Sequence, residues 1–140
     1  MSGSTKRLGN FALAAALFGV GADYYGTHHY KSFPIDENTK CYLIDARPIG
    51  KPGVYVGSEM SEAAGSLTFF FPRNGQIFRA RPVRGSENWV QLLSGSYAQT
   101  KHCGIEVMRE VPCPANIGTR NCVWGPKLEP LSPEQMRPSR

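Results

Sequence analysis

Residues 66–83 read SLTFFFPRNGQIFRARPV, and the reading of this stretch decides the fold. Two runs rich in aromatic and β-branched residues flank Asn74-Gly75, a pair that accepts the positive φ values of a tight type I′ turn, so the pattern predicts an antiparallel β-hairpin. Along the returning run, alternation places Phe78 and Ala80 on one face and Arg79 and Arg81 on the other, with Arg73 and Arg84 nearby. The basic stripe reads either as a contact for an acidic partner or phosphate headgroups, or as a solvated face that protects an edge strand. Phe69, Phe70 and Phe71 in succession must point to both sides of a sheet, so at least one ring is expected to meet lipid or a neighbouring subunit. Phe70, Arg79 and Arg81 are the candidate interface residues.

Working outward, further short β-prone runs are separated by turn signals: CYLIDA (41–46), VYVG (54–57), NWVQLL (88–93) and GIEVMREV (104–111). Together they predict a mainly β domain over residues 32–124, a small antiparallel barrel or sandwich. Trp89 with Val90, Leu92 and Leu93 reads as core, and residues 61–66 could hold one helical turn. Residues 125–140 carry Pro126, Pro130, Pro133 and Pro138, a density that opposes both helix and sheet and predicts an extended tail, either disordered or lying along another chain.

Cys41, Cys103, Cys113 and Cys122 all follow the first apolar run, and an even number in a small exported domain predicts disulfides. The favoured pairing is Cys113 with Cys122 across the turn-rich PANIGTRN, leaving Cys41 to Cys103. Structural zinc sites take ligands in close pairs, and none occurs here, so no metal or other cofactor is expected.

Residues 8–22, LGNFALAAALFGVGA, are uncharged and would form a helix roughly 22 Å long, short of a ~30 Å hydrocarbon core unless it extends through Tyr24 and Tyr25. Lys6 and Arg7 precede it, and Tyr24, Tyr25, His28, His29 and Tyr30 follow it as an aromatic belt would. Within it, Ala12, Ala16 and Gly19 offer small residues for close packing against another membrane helix. Residues 1–31 are therefore read first as an uncleaved single-pass anchor with its N-terminus in the cytosol or matrix. The rival reading is a leader removed after Ala22.

The chain's 140 residues allow one ordinary domain with short appendages, and 16 Lys and Arg against 11 Asp and Glu leave a net charge of +5, which permits acidic contacts without demanding them. No nucleophile elbow, phosphate loop, dinucleotide glycine pattern or paired metal histidines are present, so neither an enzyme nor a small-molecule substrate is expected, and no nucleic-acid motif accompanies the arginines. The expectation is a non-catalytic accessory subunit that contacts the lipid bilayer and the other subunits of a membrane complex, its β domain on the non-cytosolic, non-matrix side, with the mitochondrial inner membrane first. The alternative is a secreted or periplasmic binding or inhibitor module.

Overall fold

The structure, a computed structural model, describes residues 24–61 and 71–136. The apolar run with Ala12, Ala16 and Gly19, the turn expected after Ser61, and Phe70 lie outside the described residues. Among the described residues no helix is long and apolar enough to cross a membrane.

The domain is mainly β and wholly antiparallel. Its strands are β1 (Lys40–Ile44), β2 (Val56–Gly57), β3 (Gln76–Pro82), β4 (Trp89–Leu92), β5 (Tyr97–Gln99), β6 (Lys101–His102), β7 (Ile105–Glu106), β8 (Met108–Val111) and β9 (Cys122–Trp124). One sheet runs in the order β2-β5-β4-β3-β1-β8, with β9 also on β3, while β6 and β7 form a separate hairpin. Closure into the expected barrel would need β2 to bond to β8, and no such pairing exists among the described strands.

β3 is the centre. β1 lies along one edge (Tyr42 opposite Phe78), and the other edge is shared by β9 over Gln76–Phe78 and by β4 over Ala80–Pro82. Both edges being taken, residues 71–73, the described part of the expected first hairpin strand, do not pair with β3. The turn itself exists: the Gln76 amide donates to the Arg73 carbonyl at 3.0 Å. Gly75 has φ 93° while Asn74 keeps a negative φ, so the geometry is that of a type II turn rather than type I′. Instead of doubling back on β3, the incoming chain bridges Gly53 through Arg73, and the Val54 amide donates to the Pro72 carbonyl. The paired positive φ values of a type I′ turn occur at Cys103 (51°) and Gly104 (81°), which close the β6–β7 hairpin.

Alternation divides the buried residues by face. Tyr42, Ile44, Phe78, Ala80, Val90, Leu92, Ala98, Val56 and Met108 form the main core on one side. Cys41, Leu43, Ile77 and Ile117, flanked by Val111, Val123 and Leu128, form a smaller cluster on the other. Phe78 is fully buried, and truncating such a ring costs about 3–5 kcal/mol. The expected strand 104–111 breaks at Val107, where the Val107 and Met108 amides both donate to the Thr100 carbonyl. This two-against-one pattern bends the chain as a bulge does.

The disulfide joins Cys41 to Cys113, while Cys103 and Cys122 are free thiols. Both expected pairs are therefore corrected. β1 and β8 align Cys41 with Val111, so Cys113, two residues on, falls within reach of Cys41. Cys122 faces the other way: opposite Phe78, it lies against the main core.

Two flanking segments also differ from expectation. Residues 24–28 are helical, and His28 turns inward, nearly buried with its ring edge-on to Phe78 at 5.7 Å. Only Tyr24, Tyr25, His29 and Tyr30 remain exposed as a belt would require. The tail packs on its own domain as far as Glu129. The Gly125 amide donates to the Gly75 carbonyl, Leu128 packs on the smaller cluster, and the Arg47 guanidinium donates to the Glu129 carbonyl. At 132–135 the Ser132 and Gln135 side chains each bond to the other's backbone amide, a capping box with Pro133 in the first-turn position.

Candidate functional site

The residues expected to form an interface do not come together as one. Arg79 keeps the face that alternation assigns it, but the 117–121 loop covers it. Its Nε donates to the Arg120 carbonyl at 3.0 Å and its Nη2 to the Gly118 carbonyl. Burial without an acidic partner pushes the guanidinium pKa below its ordinary value. Arg79 is thus a structural clamp. Arg81 stands 4.3 Å over the Phe33 ring, a cation–π contact that ties the chain before β1 to β3.

A concave site forms elsewhere, beside β2, which ends the sheet among the described strands. A cavity of about 140 Å³ is lined by Tyr55, Trp89, Tyr97 and His102 together with Val54, Val56 and Val107, and Lys51 and Glu59 stand at it. Register explains the aromatic grouping. Trp89 pairs with Gln99 and Gln91 with Tyr97, so Trp89 and Tyr97 are diagonal neighbours on one face of the β4–β5 pair. Val56 pairs with Ala98 toward the core, and Tyr55, one residue earlier, takes the opposite side. Gly57 faces Tyr97 and adds no side chain above it. Trp89, expected in the core, is half-buried because it alternates with the buried Val90.

The loop that carries Lys51 is held from a distance. The Asn74 carboxamide accepts from the Ala46 amide at 2.7 Å and donates to the Lys51 carbonyl at 2.8 Å, and its own amide donates to the Pro52 carbonyl. Gly53 is required next to it, since a Cβ there would come within 2.0 Å of the Pro72 carbonyl oxygen. Asp45 anchors the start of the loop through a two-point pair with Arg47, at 2.8 and 2.9 Å. Burial alone would raise the Asp45 pKa, but the Arg47 hydrogen bonds, with the charges of Arg47 and Arg109, outweigh it and lower the pKa.

Tyr55, Tyr97, Lys51, Glu59 and His102 were not among the residues that sequence reasoning selected. The available signal was aromatic residues at the outward phase of short strands, in VYVG and SYAQ, where a solvated face would carry polar ones. Among the described residues no cluster of three His, Cys, Asp or Glu could hold a metal ion. His28 and His29 diverge as helix neighbours do, one buried and one exposed.

These features define a class: an antiparallel β domain, not closed into a barrel among the described strands, tied by one disulfide and with a small aromatic cavity beside β2. No protein-family model, curated protein or solved structure matches the chain.

Proposed function

We propose that this chain is a non-catalytic accessory subunit of a larger membrane assembly, anchored by residues 8–22, with the β domain on the non-cytosolic, non-matrix side; the mitochondrial inner membrane is the first choice. The observation that supports this reading is the way residues 24–32 are stitched to the sheet. His28 rests on Phe78, Asn121 Nδ2 donates to the Tyr30 carbonyl at 2.8 Å, and the Ser32 amide and hydroxyl donate to the Leu93 and Ser94 carbonyls. The chain is thus part of the folded domain from Tyr24 on, and an anchor in residues 8–22 would hold the domain at the membrane surface, with Tyr24, Tyr25 and Tyr30 at headgroup level. The Cys41–Cys113 disulfide fits an oxidising compartment.

The test is alkaline carbonate extraction of native membranes followed by native electrophoresis. The expected result is a carbonate-resistant chain co-migrating with a larger assembly. A chain that salt alone releases as a monomer overturns the reading.

The aromatic cavity favours a second reading, a secreted or periplasmic binding module released after Ala22. Intact-mass measurement separates the two, since the second requires a chain that starts at Asp23.

A further inference from the structure

We propose that the cavity beside β2 binds a small zwitterion in which a methylated ammonium lies next to an anionic group, the chemistry of phosphocholine. Its volume, about 140 Å³, falls well below the roughly 300–1,000 Å³ of pockets that take drug-sized ligands. That space suits a compact headgroup.

The lining sets the chemistry. Trp89 and Tyr97 contribute aromatic residues from the adjacent strands β4 and β5, and Tyr55 a third from the position just before β2. Aromatic faces attract a cation through the ring quadrupole, and they favour a methylated ammonium because it is weakly hydrated and presents an apolar surface. Glu59 adds a carboxylate and Lys51 an ammonium at the same cavity. Among the described residues the ion pairs are Lys40–Glu110 and Asp45–Arg47, so Glu59 and Lys51 pair neither with each other nor with another described side chain. A carboxylate and an ammonium at one aromatic-lined cavity complement a ligand that carries both charges: cation toward Glu59 and the rings, anion toward Lys51. Val54, Val56 and Val107 also line the cavity and add apolar surface for the methyl groups. This assignment holds whether the chain is anchored or released, so its test stands apart from the localisation tests.

The experiment titrates the full chain, in a Trp124→Phe background so that Trp89 alone reports, with phosphocholine, choline, inorganic phosphate and phosphatidylcholine vesicles. Trp124 is exposed, outside the cavity. Saturable change in Trp89 emission with phosphocholine is expected, with choline and phosphate each about two- to fivefold weaker, as loss of one exposed charge contact predicts. Glu59→Gln should weaken choline and phosphocholine alike, and Lys51→Met should weaken phosphocholine to the level of choline. Both positions are exposed, so these variants keep the fold. Binding of soluble phosphocholine together with vesicles assigns a lipid headgroup, and binding of the soluble compound alone assigns a free metabolite. No saturable response to phosphocholine, a response indifferent to both variants, or binding of vesicles without the soluble compound overturns the proposal.

Discussion

Asn74 shows how much one side chain carries when its bonds reach across the chain. Its carboxamide closes the span from Ala46 to Lys51, so Asn74→Ala leaves the part-buried Ala46 amide without a partner. Unmade hydrogen bonds of this kind cost about 1–3 kcal/mol. Urea unfolding should show that loss, and phosphocholine binding should weaken with it as Lys51 loosens. The two free thiols separate by environment. Cys103 is exposed at the β6–β7 turn, whereas burial, partly offset by Arg120, pushes the Cys122 thiol up to about 11 from 9.0. One equivalent of maleimide should react with the native chain and a second only on unfolding. The linkage has a definite sign: below pH 9 the Cys122 thiol is neutral in both states, and between pH 9 and 11 it ionises in the unfolded chain but not in the folded one. Stability should therefore fall through that window. Tyr42, raised first by burial and then by Glu110, adds to the fall at higher pH. A Cys122→Ala variant whose alkaline transition is unchanged would remove Cys122 as its cause.

At the scale of elements, the Cys41–Cys113 bond secures β8, the last strand of the sheet on the side away from β2, to β1. It closes a loop of 72 residues, for which the chain-entropy relation gives about 4 kcal/mol of stabilisation. The paired substitution Cys41→Ala/Cys113→Ala should lower stability by that order in chemical denaturation, and the loss should not depend on Cys103 or Cys122. The β6–β7 hairpin and the break at Val107 have a different role. By turning the chain twice within a few residues, they bring His102 and Val107 to the cavity from a stretch whose alternation alone reads as one strand.

For the whole molecule, the central question is how the leading segment joins the domain. His28→Ala removes the ring resting on Phe78, worth about 0.5–1.5 kcal/mol for an aromatic pair. Residues 24–31 should then detach more readily, and limited proteolysis should show faster tryptic cleavage after Lys31 while the sheet stays intact. Unchanged cleavage would mean that the Asn121 and Ser32 bonds alone hold the segment.

Alternation and turn chemistry are short-range physics, and they made the β class, the opposite faces of Phe78 and Arg79, and the turn at Asn74-Gly75 legible in the sequence. Which strand lies beside β3, which cysteine meets Cys41, and what covers Arg79 depend on contacts between residues tens of positions apart, and no local pattern encodes them. The same holds for the cavity: residues 51–59 and 89–107 each read as ordinary strand and loop, and they become a site only where the sheet brings them together. The amino-acid order thus determined the kind of element at each place, because backbone preferences act over a few residues. Only the tertiary structure decided partnership, through competition between distant segments for the two edges of one central strand.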